Sequence, residues 1–142
     1  MNIYNQPNLP PFLFLNEHIT ISGSRLSMPL SQELYEWIYD VHWKHDPNLP
    51  ASIQLETMTQ LAAIFIFKSK NPKHVYVREY TKCIFYKKIA IKNDCMVSAD
   101  NIKNNRGLYS FDSKIFSSSD HTIFSRSSFV LINPTELVSK PE

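Results

Sequence analysis

The chain has 142 residues, enough to bury one sizeable core, and we expect a single domain over residues 1–142. Hydrophobic residues make up 43% and charged residues 20%, which is typical of a globular protein and not of a disordered or fibrous one. The net charge is only +2, and the lysines and arginines are spread along the chain, so a nucleic-acid partner is not expected.

Glycine is scarce, with Gly23 and Gly107 set against nine prolines. Neither a GxGxxG nor a GxxxxGK[ST] stretch is present, so dinucleotide and nucleoside-triphosphate binding have no support in the sequence. Cys83 and Cys95 lack a metal-ligand spacing, and the chain does not open with a basic segment followed by an apolar one. We therefore expect reduced thiols and a cytoplasmic location.

The first third of the chain is predicted to contain short strands and one short helix. The predicted strands are residues 12–15, 18–21 and 25–30, with a turn at 22–24. Ser31 is a candidate N-cap for a helix from Gln32 to Tyr39, in which apolar and aromatic residues recur at helical spacing.

Residues 49–67 predict a long buried helix. This segment has no glycine, and its one charged side chain is Glu56. Its apolar residues point in nearly every direction of a helical wheel, which indicates a helix surrounded by protein. Its fully apolar stretch is far shorter than the roughly 20 residues that a bilayer requires, so a membrane span is not predicted.

The rest of the chain predicts a sheet that could cover such a helix. The predicted strands, rich in β-branched and aromatic residues, are 74–79, 81–86, 95–102, 108–116 and 122–132. Turn residues separate the last three. The order of elements predicts an α+β fold with one buried helix and antiparallel strands.

The segment from His42 to Glu56 carries most of the chemical information. Pro50 is expected in the first turn of the buried helix, which puts His42 on the loop before it and Glu56 about two turns in. Histidine is the usual general base near neutral pH, and a carboxylate can serve as its acid partner. A surface histidine and a solvated helix glutamate are the ordinary alternatives. Residues 42, 45 and 46 match no metal-ligand motif, and no metal site is predicted.

This segment resembles the active-site signature of the 3-hydroxyacyl-acyl carrier protein dehydratases, roughly H-F-P-G-[DNR]-P-x-M-P-G-x-x-x-x-[ED]-A-x-x-Q. His42, Pro47, Pro50, Glu56 and Gln60 occupy the matching positions without a gap. The resemblance implies a hotdog fold, in which a curved antiparallel sheet wraps a long helix. It also implies a homodimer or larger homo-oligomer.

The resemblance further implies an enzyme that converts a 3-hydroxyacyl thioester to the trans-2-enoyl thioester in fatty-acid or polyketide synthesis. In this role His42 would remove the Cα proton and Glu56 would protonate the departing hydroxyl. The backbone N–H of Ala51 would bind the thioester carbonyl, with Pro50 and Gln60 as further substrate-site residues. The acyl group would arrive on the phosphopantetheine of an acyl carrier protein, and no other cofactor is implied.

Two features depart from the family signature. Trp43, Lys44 and His45 replace Phe-Pro-Gly after the histidine, and Ala51 replaces the glycine after the second proline. Three functions therefore stay open: a dehydratase with an altered acyl substrate, a hotdog thioesterase that uses Glu56 to activate water, and a non-catalytic acyl-binding or partner subunit.

Overall fold

The computed structural model describes residues 6–9, 12–41, 45–90 and 92–137. Within these ranges six strands form one antiparallel sheet in the order β1-β2-β4-β5-β6-β3. The strands are β1 (Thr20–Ser22), β2 (Arg25–Pro29), β3 (Tyr76–Phe85), β4 (Cys95–Asn105), β5 (Leu108–Ser117) and β6 (Ile123–Ile132). The helices are α1 (Glu36–Val41), α2 (Ala51–Lys70) and the short α3 (Pro134–Leu137), with a 3-10 turn at Gln32–Tyr35 before α1.

Helix α2 lies against one face of this sheet, as its sequence predicts. Its central residues from Thr57 to Ala62 are all buried, and Ile64 and Ile66 are fully buried further along. They pack with alternate residues of the strands, such as Val97 and Ala99 on β4. The helix continues three residues beyond the predicted end and stops at Asn71, which takes the left-handed conformation.

Two predictions about the first third were wrong. Residues 12–15 belong to no strand, because Phe12 and Phe14 hydrogen-bond to the side chain of Gln60 on α2 instead of to a neighbouring strand. Ser31 makes no side-chain capping hydrogen bond, and the following segment opens as a 3-10 turn before it becomes helix α1. Phe14 nevertheless belongs to the core, where its ring stacks on Tyr35 at 5.2 Å.

The two strands predicted after the helix are one strand, β3. Two β-bulges, at Val77/Glu79 and at Tyr80/Lys82, let its ten residues follow the curvature of the sheet. β3 is the last strand of the sheet, beside β6. Nine of its ten residues are exposed, and Ile84 is half-buried.

The hairpin between β4 and β5 depends on a glycine. Arg106 and Gly107 both have positive φ, +48° and +87°, which is the geometry of a tight two-residue turn. A Cβ at Gly107 would lie 2.8 Å from the carbonyl oxygen of Asn133. The turn therefore needs glycine both for its backbone angles and for the close approach of the chain after β6.

Candidate functional site

Glu56 is half-buried on α2, and its carboxylate is held by a glutamine one helical turn further on. Gln60 Nε2 donates to Glu56 Oε1 at 2.9 Å. Gln60 also binds the N-terminal segment, since its Nε2 donates to the carbonyl of Phe12 at 2.7 Å and its Oε1 accepts from the N–H of Phe14 at 2.9 Å. One buried side chain therefore orients the candidate carboxylate and fixes the N-terminal segment on the helix.

A cavity of about 320 Å³ opens beside Glu56, between α2 and the first half of β3. We call it the Glu56 cavity. Gln60 and Thr59 stand next to Glu56 in its wall, and Ala63, Phe67 and Leu131 give the wall an apolar side. The wall therefore combines polar and apolar side chains, as expected of a site that binds a ligand with a polar head and an apolar chain.

Tyr80 on β3 approaches the same carboxylate. Its ring meets Phe129 edge-on at a centroid distance of 5.9 Å. Burial raises the pKa of the Tyr80 hydroxyl, a hydrogen bond with Thr59 opposes this shift, and the negative charge of Glu56 adds a smaller upward contribution. The hydroxyl therefore lies in the electrostatic field of Glu56, on the edge strand opposite the helix.

The start of α2 forms a second part of the candidate site. Pro50 is the N-cap residue, one position before the predicted first turn, and its carbonyl accepts from the N–H groups of Ile53 and Gln54. The first N–H groups of the helix, at Ala51 and Ser52, have no acceptor within α2. Ala51 itself is exposed at this end of the helix.

Contacts with the segment after β3 hold the loop before α2. The N–H of Leu49 donates to the carbonyl of Ile89 at 2.9 Å, and Lys88 forms an exposed ion pair with Asp46. Tyr39 also donates to the Ile89 carbonyl, at 3.2 Å. These bonds set where α2 begins relative to the end of the edge strand.

His42, the predicted base, lies outside the described residues, as do its neighbours at 43 and 44. Of the predicted site residues, the structure brings Glu56 and Gln60 into contact, and it places Pro50 and Ala51 at the start of the same helix, more than one turn away. The part of the chain that the structure describes contains no group of three His, Cys, Asp or Glu side chains suited to a metal ion. None of its helices is long and apolar enough to cross a membrane.

Sequence reasoning missed Tyr80 and Thr59 as neighbours of Glu56. Thr59 looked like an ordinary polar residue of the helix, and Tyr80 fell in the gap between two predicted strands. The available signal was the spacing Glu56, Thr59, Gln60, which places all three on one helical face. Tyr80 carries no comparable signal, because its approach to Glu56 depends on which strand covers the helix.

The long helix, the antiparallel sheet that packs on it and the strand order define a hotdog fold. Residues 29–122 match the model of the FabA-like domain, so the chain belongs to the FabA-like domain family. The matched range includes the whole of α2 and the motif that carries Glu56 and Gln60.

Solved structures have the same fold at low sequence identity. The dehydratase heterocomplex ApeI:P from Xenorhabdus doucetiae matches with a TM-score of 0.76 and 13% identity, over 95% of this chain and 93% of that one. Zebra fish thioesterase superfamily member 2 matches with a TM-score of 0.66 and 8% identity, over 90% and 88%. The uncharacterized protein PH1136 from Pyrococcus horikoshii matches with a TM-score of 0.67 and 11% identity, over 91% and 90%. A search of curated proteins found no match.

Proposed function

We propose that this protein dehydrates a 3-hydroxyacyl thioester, carried on an acyl carrier protein in the cytoplasm, to the trans-2-enoyl thioester. The observation that carries the proposal is the Glu56–Gln60 pair. Glu56 stands at the acid position of the dehydratase motif, in a chain of the FabA-like family. Gln60 holds its carboxylate beside a partly apolar cavity of about 320 Å³. That cavity offers polar side chains to the reacting carbons and apolar side chains to the acyl chain.

The reaction needs a base, an acid and a donor for the thioester oxygen. His42 removes a proton from Cα, and the electron pair moves toward the thioester carbonyl, whose oxygen accepts the N–H of Ala51 at the start of α2. The Cβ–O bond then breaks, Glu56 gives its proton to the leaving oxygen, and water departs. Protons return to their starting groups through solvent, so the reaction consumes no cofactor.

The catalytic roles are tested by two substitutions. His42→Ala and Glu56→Gln should each lower the turnover of a 3-hydroxyacyl-carrier thioester by about 10²–10⁴-fold, because each group acts in the step that breaks bonds. Binding of the acyl thioester should change little. The assay is dehydration, or hydration in reverse, followed by mass spectrometry over several chain lengths. As a matched control, His18→Ala alters an exposed histidine without a proposed role and should keep wild-type turnover.

The outcomes distinguish the three candidate functions. Turnover that survives both substitutions would contradict the proposed roles. Release of free acid and free thiol without any enoyl product would identify a thioesterase. If the wild type binds the acyl carrier but converts no chain length, the protein is a non-catalytic subunit, and residues 43–45 and Ala51 are the departures to revert.

We further propose that a second copy of the chain covers strand β3. This strand is a long edge with exposed Tyr76 (54%), Val77 (41%) and Phe85 (40%), and an uncovered edge of this kind favours pairing with another strand. Glu79 and Lys82 pair with Val130 and Ser128, which share a face of β6, so both charges lie on the face away from α2. A two-fold axis between positions 80 and 81 would set Glu79 of each copy beside Lys82 of the other.

Charge reversal tests this dimer. Glu79→Lys and Lys82→Glu should each weaken it, because both symmetric pairs become like-charged, while the double variant should restore wild-type affinity. Cross-strand pairs contribute about 0.2–1 kcal/mol, so two pairs amount to roughly a 2- to 30-fold change in Kd. Sedimentation equilibrium at low salt measures the Kd of each variant. A wild-type chain that remains a 16.6 kDa monomer at micromolar concentration would contradict the dimer, and equal weakening in the double variant would contradict this register.

A further inference from the structure

The Glu56 cavity follows one face of α2 for about three turns. Its helical side is formed by Glu56, Thr59, Gln60, Ala63 and Phe67. Positions seven and eleven residues apart return to nearly the same face of a helix, so Glu56, Ala63 and Phe67 lie in one row. At about 1.5 Å per residue, Ala63 lies about 10 Å and Phe67 about 16 Å beyond Glu56 along the helix axis. The helical side of the cavity therefore changes from polar at its start to apolar over the next two turns.

Two other parts of the chain complete the wall of this cavity. The sheet side includes the apolar residues Val75, Val77 and Leu131, and the N-terminal segment adds Asn8. Asn8 is held in place by Gln6, because its N–H donates to Gln6 Oε1 at 2.7 Å and its carbonyl accepts from Gln6 Nε2 at 3.0 Å. The cavity is therefore an elongated groove, and its shape suits an extended hydrocarbon chain whose reacting carbons lie at Glu56.

Ala63 has the smallest side chain in the wall of this groove. It is half-buried, whereas its neighbour Ala62 is fully buried in the core. Ala63 therefore leaves only a methyl group at the groove, part of the way from Glu56 to Phe67. A larger side chain at this position would fill the groove about 10 Å beyond Glu56 along the helix axis.

We infer that Ala63 is a specificity-determining residue, which lets acyl chains of about 12–16 carbons run along α2 toward Phe67. This inference rests on the proposed function, which places Cβ of the acyl group at Glu56. An extended chain advances about 1.2 Å per bond, so a chain of six carbons ends about 4 Å beyond Cβ and one of fourteen carbons about 13 Å beyond it. The shorter chain stops before the level of Ala63, and the longer chain passes this level without reaching that of Phe67.

Ala63→Phe tests the inference by filling the groove at this level. The substrates are the 3-hydroxyhexanoyl and 3-hydroxytetradecanoyl thioesters of pantetheine, and the readout is the ratio of their kcat/KM values. Wild type should prefer the longer chain by about 10-fold or more, because that chain buries eight more methylene groups. Ala63→Phe should reduce this preference to nearly one, and Ala63→Leu, which adds less volume, should reduce it in part. An unchanged ratio in both variants would overturn the inference.

Ser69→Phe is the matched control. Ser69 is an exposed residue of the same helix, six positions beyond Ala63, and it is not in the wall of the Glu56 cavity. The variant adds the same aromatic ring to α2 outside the groove and should keep the wild-type ratio. If Ser69→Phe reduced the ratio as much as Ala63→Phe does, the effect would not come from the groove and the inference would be overturned.

Unreactive analogues keep the inference separate from the proposed reaction. Amides in which nitrogen replaces the thioester sulfur, made with the same two 3-hydroxyacyl chains, are titrated calorimetrically. The longer analogue should bind wild type about 10-fold or more tightly than the shorter one, and the two should bind Ala63→Phe about equally. Chain-length-selective binding without turnover would overturn the dehydration alone. Equal binding of the two analogues by wild type, a preference that persists in Ala63→Phe, or binding of neither analogue would overturn the role of Ala63.

Discussion

Replacement of Gln60 by methionine should weaken the fold measurably, because Gln60 is the junction between the N-terminal segment and α2. The residue is 5% exposed. Methionine fills nearly the same volume but leaves the buried N–H of Phe14 without an acceptor and the carbonyl of Phe12 without its donor. An orphaned buried N–H costs about 1–3 kcal/mol, and the Phe12 carbonyl, on an exposed residue, can recover a water.

Gln60→Met should therefore lower the free energy of unfolding by about 1–3 kcal/mol. For a domain of this size the corresponding decrease in Tm is roughly 3–10 °C. Urea denaturation followed by circular dichroism and by tryptophan fluorescence measures the change, at one protein concentration for all variants because assembly would contribute. Trp37, whose ring lies 6.1 Å from that of Phe12, reports on the N-terminal segment.

Glu56→Gln is the control for this experiment. It removes the charge beside Gln60 but keeps a carbonyl that can accept from Gln60 Nε2 at the observed 2.9 Å. We expect its unfolding free energy to stay within about 0.5 kcal/mol of wild type. If Gln60→Met is as stable as Glu56→Gln, the two hydrogen bonds of Gln60 to Phe12 and Phe14 do not anchor the segment, and the reasoning fails.

Two further predictions concern the backbone and pH. Gly107→Ala should lower the free energy of unfolding by about 2–4 kcal/mol, because it combines a positive φ with a Cβ placed 2.8 Å from the Asn133 oxygen. Gly23→Ala, at positive φ in open space, should lower it by only about 1 kcal/mol. Thermal unfolding of the two variants measures the difference. Burial raises the pKa of the Cys95 thiol from 9.0 to about 11. Between these two values the folded state retains a proton that the unfolded state loses, so the stability that is present below pH 9 should fall as the pH rises toward 11. Cys95→Ala should flatten that decline in urea titrations between pH 8.5 and 11, and an unchanged slope would exclude Cys95 as its source.

Local patterns were sufficient for most elements of the fold. The all-round apolar wheel of residues 49–67 predicted a buried helix because a helix with no solvated face must be covered on all sides, and α2 is largely buried. The last three strands were predicted because runs rich in β-branched and aromatic residues end at turn residues such as Asn105 and Gly107. Within the candidate site, the four-residue spacing of Glu56 and Gln60 puts both on one helical face, because four residues make about one turn of any α-helix.

Long-range pairing decided the rest. Residues 12–15 have the composition of a strand, but their hydrogen bonds go to Gln60, 46 residues away from Phe14, and no local pattern encodes that partner. The break predicted between residues 79 and 81 is absent, because β6 pairs with β3 continuously through two bulges. The position of β3 at the edge, the approach of Tyr80 to Glu56 and the walls of the Glu56 cavity depend on which elements meet in three dimensions. Sequence period determines which side chains share a face, whereas tertiary packing alone determines what that face contacts.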